Sequence, residues 1–233
     1  MTGRTLTPTG FEDDDGAADP HLVTALRAAE PATPDGEVAL MALVARSRFL
    51  VPVVAVPTDA AADMAVVTLT APDGQRALPV FSGVDALAAW DPAARPVPVP
   101  ADRAAQAAVS EGCDVLVVDV GSPHATVLRP SMVWALAQRR EWVPAYRDPF
   151  VEQSVARAVL GEPDIRGHAL EAGAPATGAL VVVLGLRPGL DAPDVQALAS
   201  RVGERLATDG ELRARVDDLV FRVTAAHSSG SPG

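Results

Sequence analysis

Apolar and polar positions along this chain change period several times, and each change predicts an element. From Asp19-Pro20, an N-cap with proline at the first helical position, Leu22, Leu26 and Ala29 recur at helical spacing until Pro31. Val38, Met41 and Val44 predict a second helix, closed by Arg46 and Arg48, since cations suit a helix C-terminus. Residues 49–56 are too apolar and too short for anything but a buried strand, with Pro52 at a sheet edge or at the strand start. Residues 65–70 and 76–81 flank Pro72-Asp73-Gly74, which predicts a β-hairpin: proline presets φ and glycine accepts a positive one.

Further on, residues 84–90 read as two helical turns, and the alternation of proline and valine in 95–100 reads as an extended edge segment. Residues 102–111 form a helix with a face of small side chains (Ala101, Ala104, Ala105, Ala108) that ends at Gly112. Residues 114–120 are a buried strand, turned by Gly121-Ser122-Pro123-His124 into a second strand at 125–129. Pro130 then starts a helix with Met132, Ala135 and Leu136 inward. Val151, Val155 and Val159 support a helix over 150–160, whereas 162–176 is aperiodic and reads as a linker or surface loop. A strand at 179–186, an amphipathic helix at 194–207 and a strand at 219–223 complete a β-α-β unit.

These elements predict an α+β protein: a mixed sheet with a β-hairpin and packed helices, followed by a smaller β-α-β C-terminal module. The expected layout is a disordered acidic arm (1–18), a main domain (19–149), a helix and linker (150–178), the C-terminal module (179–225) and a disordered tail (226–233). The start of the chain lacks the apolar run of a secretory signal, and no apolar stretch approaches the roughly 20 residues that span a bilayer. The expectation is a cytoplasmic protein with no membrane association.

Charge narrows the classes of partner. The 233 residues carry 19 basic and 30 acidic side chains, a formal net charge of -11, and every basic residue is arginine. Phosphate backbones require a basic surface, so direct nucleic-acid binding is not expected. Without lysine there is no P-loop, and no G-x-G-x-x-G is present. The four histidines, His21, His124, His168 and His227, are widely spaced and offer no local metal-ligand motif. Cys113, the single cysteine, follows a helix C-terminus, where the dipole disfavours a thiolate. Asp217-Asp218 are neighbours, but nothing aims them at a common substrate. No catalytic residue and no cofactor are therefore predicted. The one alternative ligand-site candidate is the strand-end loop with Asp119 and His124, whose residue types serve equally well in a turn.

The run Ala77-Leu78-Pro79-Val80-Phe81-Ser82-Gly83, followed by Ala86-Leu87-Ala88-Ala89-Trp90 and Arg95-Pro96-Val97-Pro98, resembles the hallmark of SseB-like proteins. Residues 108–119 and Trp142-Val143-Pro144 fit the same pattern, so the resemblance to the SseB N-terminal domain extends over about 19–149. Residues 179–223, with Leu186-Arg187-Pro188-Gly189-Leu190, resemble the smaller SseB C-terminal domain, and the composition resembles that of a high-GC actinobacterial chain. The family brings no established catalytic residues to carry over. The missing catalytic signatures, the negative surface and the Pro-rich edge segments that invite partner contact instead lead to the expectation of a non-enzymatic protein-binding or regulatory role with a protein partner, and the alternative is a small-molecule-binding or enzymatic domain at the Asp119 and His124 loop.

Overall fold

The computed structural model describes residues 14–28, 33–57 and 62–225. The tail expected at 226–233 and the first thirteen residues of the expected arm lie outside them. The fold is α+β, and the chain divides into two compact units. One unit holds residues up to 30, 40–128 and 136–139, and the other holds 31–39, 129–135 and 140 onward.

The first unit contains two sheets. Strand β1 (Arg48–Pro57) is the middle of an antiparallel sheet between β2 (Ala62–Val66) and β5 (Arg95–Pro100). Pro52 thus lies inside a central strand rather than at an edge or a start. It is tolerated because Pro52 and Pro96 oppose each other at a position where the β1–β5 ladder needs no donor from either, while toward β2 the Pro52 carbonyl still accepts the Val67 N–H at 3.2 Å. The second sheet has the order β3 (Leu69–Thr70), β4 (Arg76–Val80), β6 (Val115–Val118), β7 (Thr126–Leu128). The Pro72-Asp73-Gly74 hairpin is present, with Gly74 at φ 89°, but its first arm is only β3, because Ala62–Val66 pairs with β1 instead. Strands β4 and β6 run parallel, the only parallel pair of this unit among the described residues.

Leu50 of β1 and Phe81, just beyond β4, exchange backbone hydrogen bonds of 2.8 and 2.9 Å, which stitch the two sheets together. Leu50, Phe81 and Leu87 of α3 (Val84–Trp90) form one core cluster, with the Phe81 and Trp90 rings 5.3 Å apart. Helix α4 (Ala101–Ser110) lays its alanine face, Ala101, Ala104, Ala105 and Ala108, against β1, β4 and β6, and all four are fully buried. Its end is as expected: Gly112 takes φ 65°, where a Cβ would be strained. Helices α1 (Pro20–Ala28) and α2 (Pro34–Val44) bury Leu22 and Leu26, and Leu40, Met41 and Val44. Arg48 does not close α2. It opens β1, because α2 stops at Val44 and its guanidinium is committed elsewhere.

The second unit centres on a three-stranded sheet of order β10 (Asp218–Ala225), β9 (Ala179–Leu186), β8 (Ile165–Ala172). Between β9 and β10 run α7 (Ala192–Ala207) and the short α8 (Gly210–Arg213), giving the expected parallel β-α-β connection. The stretch expected to be a linker at 162–176 contains a strand instead, because β8 pairs antiparallel with β9 from Ile165 to Ala172. Its polar, glycine-containing sequence hides the strand: most β8 side chains face solvent, so little apolar alternation is required. Even-numbered β9 residues, Leu180 to Leu186, pack with Val151 and Val155 of α6 (Pro149–Val159) and Leu198, Val202 and Leu206 of α7. Asp148 caps α6 by accepting the Phe150 N–H, and Asp191 caps α7 through the Asp194 N–H.

Candidate functional site

In the first unit the parallel strands β4 and β6 end side by side, with Val80 opposite Val118. Carboxyl ends of adjacent parallel strands are where open α/β sheets place their ligands. Both chains here turn into polar loops, Ser82-Gly83 before α3 and Asp119 to His124 before β7. Asp119 takes a left-handed φ of 52° and donates its N–H to the Val80 carbonyl at 2.8 Å. This turns its carboxylate back onto Ser82, where Oδ1 accepts the Ser82 N–H at 2.7 Å and Oδ2 accepts the Ser82 hydroxyl at 2.8 Å. Both residues are buried, with Asp119 8% exposed. A carboxylate whose two oxygens are already engaged serves as a clasp between two strand ends.

The opposite wall comes from the chain before α1. Arg48 grips Asp14 through Nε at 2.5 Å and Nη2 at 2.8 Å, and donates to the carbonyls of Ser82 and Ala17, each at 2.7 Å. The Val84 N–H reaches the Gly16 carbonyl at 2.9 Å. Residues 14–18, expected to belong to a disordered arm, are thereby strapped to the loop that precedes α3. The reason is electrostatic: a bidentate arginine–carboxylate pair of low exposure holds one end, and the Arg48 bonds hold the Asp14 carboxyl below the usual carboxylate range. Gly83 has no room for a side chain, since a Cβ there would lie 2.8 Å from the Ala18 nitrogen.

Together these segments enclose a cavity of about 270 Å³ with Leu26 and Val23 of α1, Arg27, Ser122, Asp119 and His124 on its lining. The two sequence-predicted candidates therefore meet at one cavity, but in different states. Asp119 is buried and spent on Ser82, whereas the ring of exposed His124 has no hydrogen-bond partner among the described residues. The hydroxyl–carboxylate pair at this cavity, Ser82 with Asp119, is buried.

The second unit holds a cluster that periodicity did not reveal. Arg129, 13% exposed in its side chain, binds Glu37 through both Nη atoms at 2.6 and 3.0 Å and Asp217 through Nε at 2.9 Å. Burial opposes its charge, but the bonds to Glu37 and Asp217 outweigh burial and hold it protonated. Asp217 also accepts the N–H of Ser131, in the first turn of α5 (Pro130–Ala137), at 2.7 Å and the Ser131 hydroxyl at 2.9 Å, and Ser131 in turn accepts the Trp142 indole N–H at 3.0 Å. Asp218, its neighbour, turns away and accepts the Leu219 N–H, so the adjacent carboxylates diverge as the sequence suggested. A cavity of about 150 Å³ lies beside this cluster, walled by Trp142, Tyr146 and Pro175. Its polar groups satisfy one another, which is the signature of a structural clamp.

Cys113 is free and buried, and burial pushes its thiol up, away from nucleophilic character. Among the described residues no group of three or more His, Cys, Asp or Glu side chains could hold a metal ion. No helix of the described residues is long and apolar enough to cross a membrane.

Comparison with known families matches residues 22–135 to the SseB protein N-terminal domain. No curated protein and no solved structure matches the chain.

Proposed function

Because this chain belongs to the SseB-like family through its N-terminal domain at residues 22–135, we propose that it is a non-enzymatic, regulatory protein-binding module of the cytoplasm whose partner is a positively charged protein. The observation that carries this reading is the commitment of the arginines. Eleven of them among the described residues are ion-paired to carboxylates of the same chain. Of the arginines at 46, 48, 139 and 140, which fall as two close pairs in the sequence, three are among these: Arg48 pairs with Asp14, Arg139 with Asp102 and Arg140 with Glu211. With these eleven of the nineteen arginines paired locally, the net charge of -11 leaves a surplus of carboxylates. Such a field steers a basic surface toward the protein and repels phosphate backbones.

Affinity capture from the native cell, at low salt and again at about 0.5 M where screening reaches within a few ångströms, tests the reading. A protein rich in Lys and Arg should be retained at low salt, released at high salt, and bind the purified chain directly once repurified. Recovery of no such protein, with a metabolite carried through purification instead, overturns it.

The cavity shared by Asp119 and His124 supports a second reading, a small-molecule site. Nucleotides, amino acids or divalent metals that raise the melting temperature of the wild type, with the shift abolished in His124→Ala, would establish it in place of the first.

A further inference from the structure

Edge strands expose unpaired N–H and C=O groups, and folded proteins blunt them with proline, bulges, charge or brevity. In this chain the edges are treated unequally. Strand β5 carries Pro96, Pro98 and Pro100 at alternate positions, so the positions of one parity have no donors to offer a further strand. Strands β3 and β7 are two and three residues long. Strand β8 is interrupted by a register shift between Ile165 and Gly167. Strand β10, at the other edge of the same sheet as β8, has no proline, no bulge and no brevity, and its two charges, Asp218 and Arg222, are of opposite sign. It runs for eight residues, Asp-Leu-Val-Phe-Arg-Val-Thr-Ala, in unbroken register with β9. Its free edge bears no strand among the described residues, and Val220 and Val223 are 46% and 41% exposed.

The residues of β10 are also self-complementary. Leu219 and Phe221 pack on the helix side of the sheet, so Asp218, Val220 and Arg222 share the opposite face. When two identical strands pair antiparallel about an axis normal to the sheet, one residue lies opposite itself, and that residue defines the register. An axis at Val220 sets Asp218 of each copy opposite Arg222 of the other, with Val220 against Val220 between the two charge pairs. On the helix side it sets Leu219 opposite Phe221. An axis at Arg222 would instead oppose two guanidinium groups, and an axis at Phe221 would leave Arg222 facing Val220. The charged groups have capacity for this. Asp218 uses one oxygen for the Leu219 N–H, whereas Arg222 leans across β9 onto Glu171 of β8 and turns to the free edge by exchanging that pair for the Asp218 of the second copy.

We propose that a second copy of this chain docks on the edge of β10, antiparallel and centred on Val220, joining two three-stranded sheets into one of six strands. The inference goes beyond the basic-partner reading and does not depend on it: a monomer could bind a basic protein, and a dimer could fail to.

Sedimentation equilibrium of the full chain from about 1 to 100 µM, the range in which ordinary interfaces dissociate, should show a dimer. Asp218→Arg and Arg222→Asp each place like charges opposite one another and should weaken the dimer about tenfold, while the double exchange restores it, as expected for cross-strand charge pairs. Because Arg222→Asp also removes the Glu171 pair, far-ultraviolet circular dichroism and urea midpoints must show each variant folded. Val220→Cys gives the most direct readout. Opposed residues in antiparallel strands lie about 4.5 to 5.5 Å apart at Cα, within disulfide reach, so mild oxidation should yield a covalent dimer, whereas Cys113 is buried. A monomer at every concentration, or a dimer indifferent to both charge reversals and uncrosslinked by Val220→Cys, overturns the proposal.

Discussion

At the scale of single residues, the two clasps make distinct demands. Asp119→Ala removes the acceptor of a buried backbone N–H and of the Ser82 hydroxyl at once, and should cost about 2 to 4 kcal/mol, as two orphaned buried donors do. Ser82→Ala leaves the backbone bond in place and should cost about half as much; urea unfolding of the pair measures the difference. Gly178 makes the sharper case. It takes φ 69°, and a Cβ there would collide with Asp217 Oδ2 and Arg129 Nε. Gly178→Ala should therefore destabilise by about 2 kcal/mol or more, through a conformation alanine resists and a clash with an ion pair that cannot retreat.

Protonation acts at the same scale. Arg48 hydrogen bonds depress the Asp14 carboxyl, Arg201 depresses Glu162, and Arg215 with Arg140 depresses Glu211. A carboxyl whose folded pKa is depressed contributes stability above its unfolded value, about 4, and loses it as the pH falls through the folded value. Arg48→Leu should thus destabilise at neutral pH and converge partway on the wild type as the solution is acidified below about pH 4, the remaining difference being the Arg48 bonds to the Ser82 and Ala17 carbonyls, which do not titrate. Urea midpoints at neutral and acid pH report the convergence.

At the scale of elements, strands with a single buried neighbour are the hard ones to read. Helix α4 was legible because Ala101, Ala104, Ala105 and Ala108 recur at helical spacing and Gly112 ends it. Strand β9 was legible as an apolar run, and the parallel β9 and β10 with α7 between them followed from length and period. Strand β8 was not, since its side chains are mostly exposed and its pairing lies in the backbone. The same holds at the candidate cavity. Asp119 and His124 could be picked from the loop after an apolar strand, but Arg48, Asp14 and Ser82 come from three distant segments and share no local pattern. The Arg129 cluster is equally nonlocal, joining Glu37, Ser131, Trp142 and Asp217. Hydrogen exchange tests the revised element. Amides of β8 that pair with β9 should be protected well above those of the loop at Ala174 to Thr177, whereas a linker would exchange uniformly fast.

At the scale of the whole molecule, charge and pairing set what the protein meets. A fluorescein-labelled single- or double-stranded RNA should show no anisotropy change with the chain at about 0.15 M salt, the physiological ionic strength. Tight, salt-sensitive binding would require a cluster of free guanidinium groups, and Arg48, Arg139 and Arg140 are held in separate ion pairs with Asp14, Asp102 and Glu211.

The arginine pairing has a further consequence on the alkaline side. A lysine ammonium loses its proton near pH 10.4, whereas a guanidinium holds it beyond pH 12. Since every side-chain cation that straps a loop, caps a cluster or spans a sheet here is a guanidinium, apart from His168 beside Glu152, no ion pair built on arginine is dissolved by mild base. The arginine pairs should therefore cost no stability from neutral pH to about pH 11. The buried Cys113 thiol, pushed up by burial, does cost stability in that range, so a level melting temperature is expected of Cys113→Ala, where a lysine-paired protein of the same fold would still lose its straps one after another.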